Sequence, residues 1–166
     1  MNRAVFGVVA LLALSMQDVQ AQKKNFTGQS LTAFFLPPVF CAKAKTCEVL
    51  VTVVPAASGN KCQAQFPIDI HIPNGYAGMQ LVWKIVPAKG DNSLYKFDSN
   101  YGIESVADRD HQLDPPSPLS DLQWAAVDKN SVPLSTIDYL PHVLGSPNSG
   151  TRFSPCEVID PRIIND

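Results

Sequence analysis

The sequence predicts an all-β fold, an antiparallel sandwich of about seven short strands with little or no helix. Runs of alternating or β-branched apolar residues recur at short intervals, and turn-forming residues separate them. The 14 prolines are spread along the 166 residues, which leaves little room for long helices. Strands that follow one another without helices between them favour an antiparallel sandwich over a parallel sheet.

The first 21 residues are predicted to be a secretory signal peptide. Arg3 precedes an apolar run over 4–14, and Ala21 supplies a small residue at the expected cleavage site. The apolar run is about half of the roughly 20 residues that span a bilayer, so a permanent membrane span is the weaker interpretation. We therefore expect a secreted or periplasmic protein.

The predicted mature chain is close to neutral. The signal segment holds one basic residue, Arg3, and one acidic residue, Asp18, so its removal leaves the formal net charge at -2. Without a basic patch, nucleic acid is not expected as a partner. About 145 residues suit one domain, which we divide into an irregular N-terminal arm at 22–45 and a sandwich domain at 46–166.

All 4 cysteines lie in the predicted exported part, where oxidising conditions favour disulfides over free thiols. Four cysteines allow three pairings, and the sequence alone does not choose among them. Our hypothesis pairs Cys41 with Cys47, which closes a small loop, and Cys62 with Cys156, which ties the C-terminal tail to the sheet. We assign these cysteines a structural role rather than a catalytic or metal-binding one.

The first half of the domain contains the clearest strand patterns. An apolar patch at 34–36 is expected to be an edge strand or an arm laid over the core. The segment 47–55 is rich in β-branched residues and predicts a strand. The runs 66–72 and 79–86 alternate apolar and polar residues, with glycines and an asparagine between them. They predict a hairpin at the centre of the sheet.

The second half is predicted to contain short strands at 94–97, 101–106, 122–127 and 136–144. A helix that starts near Ser120 is the alternative to the third of these. The intervening stretch 107–121 is polar and contains three prolines, so we expect an exposed connection. The apolar residues within 152–166 predict a docked C-terminal tail.

The exposed connection holds the densest polar cluster, and its candidate binding residues are Asp108, Asp110, His111 and Asp114. Binding modules often make contact through loops carried on a rigid sandwich. A calcium loop is not indicated, because the turn glycine and the terminal glutamate of that motif are missing. Solvated loop charge without a ligand is the alternative interpretation.

No catalytic residue, metal site or cofactor is predicted. The chain has no serine elbow, paired-histidine zinc motif or glycine-rich nucleotide loop. His71, His111 and His142 are isolated in sequence, and neither histidine nor methionine follows the last cysteine, as a blue-copper loop would require. Trp83 and Trp124 fall on the apolar sides of their runs, which favours core packing over a sugar-stacking platform.

Several segments in order, CEVLVTVV, VWKIV, YKFDSNYGI, a tryptophan strand and a C-terminal cysteine before DPRIIND, carry a resemblance. The chain resembles small exported proteobacterial proteins that have no assigned activity and look like immunoglobulin-like β-sandwiches. The matching positions are Trp83, Tyr95, Phe97, Gly102, Ile103, Asp160, Pro161 and Asn165. The chain departs from the pattern at Pro141 and at the insertion 145–151. The resemblance implies an immunoglobulin-like sandwich and no catalytic residues.

Our first functional hypothesis is an exported, non-enzymatic module that binds a protein or an envelope component, or serves as an envelope-associated structural protein. The alternative is a small periplasmic hydrolase or metal-dependent enzyme that uses the loop at 108–114. A third possibility is a subunit of a larger envelope assembly, recruited through an exposed sheet edge.

Overall fold

The computed structural model describes residues 35–42, 44–56, 61–146, 150–158 and 161–166. The predicted signal peptide and the arm up to residue 34 lie outside these ranges. Within them the regular structure is entirely strand, which confirms the predicted all-β class. This part of the chain has no helix that is long and apolar enough to cross a membrane.

The strands, in chain order, are β1 (Phe35–Leu36), β2 (Val39–Phe40), β3 (Thr46–Pro55), β4 (Cys62–Pro67), β5 (Asp69–Ile72), β6 (Met79–Pro87), β7 (Leu94–Phe97), β8 (Ile103–Ala107), β9 (Ser117–Ser120), β10 (Gln123–Asp128), β11 (Thr136–Pro141), β12 (Val143–Ser146), β13 (Ser154–Pro155) and β14 (Arg162–Asn165). They exceed the number predicted because breaks divide the expected runs 66–72 and 136–144, and because short strands also form in the arm, the connection and the tail. After Ser120 the chain forms the predicted strand, β10, and not the alternative helix.

The strands form three sheets. The six-stranded sheet has the order β1-β4-β3-β6-β10-β9, the five-stranded sheet β2-β5-β14-β11-β8, and the three-stranded sheet β13-β12-β7. The prediction of an antiparallel arrangement is only partly right. Most pairs are antiparallel, but β1 runs parallel to β4, β3 runs parallel to β6, and β5 runs parallel to both β2 and β14. These strands are parallel because the chain crosses between sheets before it returns to pair.

The centre of the six-stranded sheet is the parallel pair β3 and β6, in register from Thr46 opposite Gln80 to Val53 opposite Pro87. Both strands bury every second side chain. In a strand, alternate residues share one face, so this pattern presents one apolar face to the core and one mixed face outward. The β-branched run that predicted β3 therefore supplies its buried valines, Val49, Val51 and Val53.

The hairpin predicted from 66–72 and 79–86 is wrong. The chain bends at Ile68, and β5 then enters the five-stranded sheet while β6 lies in the six-stranded one. Pro67 has no N–H to continue a ladder, which explains a break at this position. The apolar alternation continues across the bend because Phe66 and Ile70 both bury into the same core, from different sheets.

The two large sheets meet through aromatic side chains. Trp83 of β6 and Tyr139 of β11 are fully buried, with ring centroids 5.4 Å apart. Trp124 of β10 is also buried, which confirms the prediction that both tryptophans pack in the core. Burial of large aromatic groups from both sheets stabilises the fold through the hydrophobic effect.

Both predicted disulfides are present. Cys41 pairs with Cys47 and connects the end of β2 to the start of β3, so it joins the two large sheets. Cys62 pairs with Cys156 and connects β4 to the segment that follows β13. Two disulfide-bonded pairs are consistent with an oxidising, exported environment.

The C-terminal tail is a central strand. β14 lies between β5 and β11 in the five-stranded sheet and buries Ile163 completely. Asn165, also fully buried, reaches the polar atoms of Asp128 and Ser135. The tail thus does more than dock on the surface, since it completes the sheet.

Candidate functional site

The candidate site is a cleft of about 510 Å³ between β8 and the connection that leads from β8 to β9. Its lining residues come from the turn before β8, from β8 itself, from the connection and from β10: Asn100, Tyr101, Ile103, Glu104, Ser105, Val106, Asp108, His111, Leu113, Pro115, Pro116 and Trp124. We call this the β8 cleft. Its volume falls within the range of small-molecule and peptide sites, roughly 300–1,000 Å³.

One wall of the β8 cleft is the strand β8, which pairs with β11 through Ile103 opposite Pro141 and Glu104 opposite Leu140. β8 is the last strand in the order of its sheet, so in the described residues it has a neighbour on one side only. The four consecutive residues from Ile103 to Val106 all line the cleft. Successive side chains of a strand point to opposite faces, so the cleft follows the edge of β8.

The opposite wall begins at Asp108, whose carboxylate accepts hydrogen bonds from backbone N–H groups of the same loop. Its Oδ1 accepts the backbone N–H of Gln112 at 2.9 Å, and its Oδ2 accepts that of Leu113 at 2.8 Å. Aspartate side chains commonly cap turns in this way, which fixes the loop conformation. Asp108 therefore shapes the wall of the cleft and contributes its negative charge there.

The expectation of a fully exposed connection at 107–121 is wrong in part. Gln112 and Leu113 are buried, and the segment ends in the strand β9. Gln112 Oε1 accepts hydrogen bonds from the N–H groups of Ser131 and Val132 at 2.7 and 3.1 Å, and its Nε2 donates to the carbonyl of Asp110 at 2.7 Å. A buried amide with these partners ties two loops together.

The four candidate residues of the connection separate into two groups. Asp108 and His111 line the cleft, whereas Asp110 and Asp114 are absent from its lining. The Asp114 carboxylate is 3.1 Å from Lys129 Nζ, which also donates to the His111 carbonyl at 2.8 Å. The described residues contain no group of three or more histidine, cysteine, aspartate or glutamate side chains placed to hold a metal ion.

His111 has a left-handed backbone conformation, with φ of 50°. Such a conformation is uncommon for residues other than glycine, and it places the exposed imidazole at the mouth of the β8 cleft. The described structure shows no hydrogen bond between the His111 ring and a carboxylate. The loop therefore presents this histidine without assembling it into an acid–base pair.

The sequence interpretation missed the side chains that project from the β8 side. Glu104 Oε2 lies 3.1 Å from His142 Nε2, and the ring of Tyr101 is tilted against His142 with centroids 6.3 Å apart. Tyr101 is 62% exposed. The partners are far apart in sequence, and only the pairing of β8 with β11 brings them together, so no local motif could have revealed them.

The other isolated histidine, His71, lies outside the cleft. Its ring stacks on Phe40 with centroids 4.5 Å apart, and its Nδ1 is 3.1 Å from Asp166 Oδ1. These contacts join β2, β5 and the residue that follows β14 in the five-stranded sheet. His71 lies on the partly exposed side of β5, which alternates with the buried Ile70 and Ile72.

The floor of the β8 cleft depends on a close approach between Gly102 and the indole of Trp124. A Cβ atom at position 102 would overlap the Trp124 ring. Only glycine therefore lets the chain enter β8 directly beside this side chain. The packing places the Trp124 ring at the base of the cleft while the residue remains buried.

A buried polar cluster supports the cleft from behind. Asp128, at the end of β10, is fully buried, and its Oδ1 accepts the N–H of Asn130 at 2.7 Å and a weaker hydrogen bond from Asn165 at 3.3 Å. Burial raises the pKa of Asp128 to about 6, and the negative charge of Asp108 contributes to the same shift. The cluster thus connects the loop, β10 and β14.

No protein-family model and no curated protein matches this sequence. The β8 cleft is therefore the feature that points to a function. Its described lining offers the carboxylates of Glu104 and Asp108, the aromatic face of Tyr101 and a free strand edge, and it includes neither lysine nor arginine. Such a site can bind an extended or cationic ligand through hydrogen bonds, stacking and charge.

Proposed function

We propose that this protein is an exported, non-enzymatic binding module that holds its ligand in the β8 cleft. The observation that carries the proposal is the location of this cleft, between an unpaired strand edge and the connection whose polar residues the sequence singled out. The partner is a protein or another component of the cell envelope. An envelope-associated structural role would use the same surface.

The rigidity of the cleft walls supports a binding role. The loop wall is fixed by the Asp108 turn and by the buried Gln112 amide, and the strand wall is fixed by pairing with β11. A site that is formed before the ligand arrives avoids the entropy of ordering loops during binding. This arrangement suits recognition by a fixed surface.

The exported location rests on the predicted signal peptide and on the two disulfides. A secreted or periplasmic protein would retain these bonds, whereas a reducing compartment would not. The immunoglobulin-like relationship belongs to the same proposal. It rests on the resemblance in sequence and on the facing pair of β-sheets.

The enzymatic alternative places a hydrolytic or metal-dependent site on the loop at 108–114. A specific observation supports it, since Asp108 and His111 both line the cleft. The carboxylate of Asp108 is, however, engaged by two backbone N–H groups, and no carboxylate contacts the His111 ring. A general base needs hydrogen-bond reach to its partner, so binding is the function that this geometry supports better.

Nuclear magnetic resonance of the ¹⁵N-labelled mature chain tests the binding role. We expect a panel of peptides, oligosaccharides and envelope lipids to include a ligand that shifts amide resonances at Ile103–Ala107 and around His111. Tyr101→Ala should weaken this binding about tenfold. Leu94→Ala removes a comparably exposed apolar side chain of β7, outside the cleft, and should leave it unchanged.

A hydrolase panel on the same preparation tests the enzymatic alternative. Turnover of any substrate that is abolished by His111→Ala would overturn the non-enzymatic proposal. If the Tyr101→Ala variant bound every ligand as tightly as the wild-type protein, the binding surface would lie outside the β8 cleft.

A further inference from the structure

We infer, building on the proposed binding role, that the β8 cleft takes an extended peptide segment that carries a lysine or arginine. The segment would add as a strand to the free edge of β8 and direct its cationic side chain toward Glu104. Three features of the cleft carry this inference: its edge, its charge and its opposite wall.

The edge of β8 offers backbone hydrogen bonds that no described residue uses. β8 pairs with β11 on one side only, and four consecutive β8 residues face the cleft. An exposed strand edge is a template on which an extended peptide can form main-chain hydrogen bonds. The five residues of Ile103–Ala107 span roughly 17 Å, which matches a bound segment of about five residues.

The charge of the cleft selects a cationic side chain. The charged side chains among its described lining residues are Glu104 and Asp108, with the imidazole of His111 beside them. His142, between β11 and β12, faces Glu104, but the Glu104 side chain keeps about half of its surface exposed. Lys129 touches the same loop, where Asp114 and the His111 carbonyl already hold its ammonium. A lysine or arginine would therefore meet a lining without basic side chains other than histidine, in which the half-exposed Glu104 carboxylate remains accessible.

An aromatic face lies beside these carboxylates. The Tyr101 ring is 62% exposed and lines the cleft two residues before β8. A cation placed over a tyrosine ring is attracted by the negative face of the π system. Tyr101 and Glu104 together thus offer two favourable contacts to one lysine or arginine side chain.

The opposite wall restricts the ligand to a single strand. Pro115 and Pro116 line this wall and have no backbone N–H to donate. The neighbouring edge strand, β9, contains Pro118 and is a poorer template for the same reason. The cleft can therefore form a ladder with the peptide on the β8 side, while the prolines contribute only surface contact.

Three synthetic pentapeptides test this inference on the mature, disulfide-bonded protein. The first is acetyl-Thr-Val-Lys-Val-Thr-amide, the second has glutamate in place of lysine, and the third is the lysine peptide with alternate backbone nitrogens methylated. We expect the first to shift the amide resonances of Ile103–Ala107. The second should bind at least about tenfold more weakly because of charge repulsion, and the third because the main-chain ladder cannot form.

A matched pair of variants tests the role of charge. Glu104→Gln should weaken binding of the lysine peptide about fivefold and reduce its salt dependence. Glu157→Gln is the control, because Glu157 is similarly exposed and also has one basic neighbour, Lys61, but lies outside the cleft. Both substitutions lie on the surface, so each variant should fold.

The results distinguish this inference from the broader proposal. If another class of ligand binds the cleft and the lysine peptide does not, the binding role stands and the peptide inference is wrong. Equal binding of the lysine and glutamate peptides, or no effect of backbone methylation, would also overturn it. If no ligand of any class binds and a substrate is turned over, the proposed function itself fails.

Discussion

Gly102 shows how one residue determines the shape of the β8 cleft. Its lack of a side chain allows the Trp124 indole to lie directly against the backbone where β8 begins. We expect Gly102→Ala to lower the free energy of unfolding by about 2–3 kcal/mol, because the added methyl overlaps a buried ring that cannot move away easily. Denaturant unfolding measures this change.

The control for that substitution is Ser99→Ala, in the exposed turn just before. It should change stability by less than about 0.5 kcal/mol. A Gly102→Ala protein with wild-type stability would mean that Trp124 has another place to pack.

Asp128 makes the stability of the protein depend on pH. Its pKa is raised by burial to about 6, above its ordinary value of 3.8, so the folded state binds the proton more tightly than the unfolded state. Its stabilising contribution is therefore present below about pH 4 and is lost as the pH rises toward and past 6. We expect a loss on the order of 2 kcal/mol over this range.

Asp128→Asn should flatten that dependence, because an amide of the same shape carries no titratable proton. The acceptor for the Asn130 N–H is retained, so the variant should fold. Urea unfolding at several values between pH 4 and 7 gives the comparison. If the stability of the wild-type protein rose across this range and Asp128→Asn removed that rise, the assigned direction of the Asp128 pKa shift would be wrong.

The connection between β8 and β9 has a conformation fixed by its own hydrogen bonds. Two aspartates on it, Asp108 and Asp110, are alike in the sequence and different in the fold, since the first caps two backbone N–H groups and the second is exposed. Asp108→Ala should reduce stability by about 1–3 kcal/mol, because it leaves two N–H groups without acceptors.

Asp110→Ala is the matched control on the same loop and should have little effect. Hydrogen exchange at the Gln112 and Leu113 amides provides a local readout, and exchange should accelerate in Asp108→Ala alone. Equal exchange rates in both variants would show that the turn does not depend on the Asp108 carboxylate.

Sequence alone located most strands and not their partners. The alternation in β3, β5 and β6 reports only that one face of each strand is buried. Since both large sheets bury their apolar faces in one core, the same pattern appears in each. Pro67 is a local sign of a break, but it does not show that the chain changes sheet at Ile68. The predicted hairpin failed for this reason.

The sequence likewise pointed to only one wall of the candidate site. The polar residues of the connection pointed to the loop wall, through Asp108 and His111. The opposite wall, with Tyr101 and Glu104, depends on how β8 pairs and on which edge it leaves free. Pairing between strands distant in sequence cannot be read from residue periodicity.

At the scale of the whole molecule, the two disulfides should differ in their contribution to stability. They join residues separated by 6 and by 94 positions. In the chain-entropy model, closing the short loop contributes about 2 kcal/mol and closing the long one about 4–5 kcal/mol. Replacing Cys62 and Cys156 by serine should therefore destabilise the protein more than replacing Cys41 and Cys47.

Thermal unfolding of the two double-serine variants measures this difference. Each variant keeps the other disulfide and serves as the control for it. An equal loss of stability in both would show that local packing around the disulfides outweighs the loop-closure entropy.

The position of β14 also affects when the protein can fold. In the described structure, β14 alone joins β2 and β5 to β11 and β8. The halves of the five-stranded sheet cannot unite until residues 162–165 are available, after the other described strands have been synthesised. Such distant pairing slows folding. A chain that crosses a membrane from its N-terminus would thus be unable to complete this sheet until residues 162–165 had crossed as well.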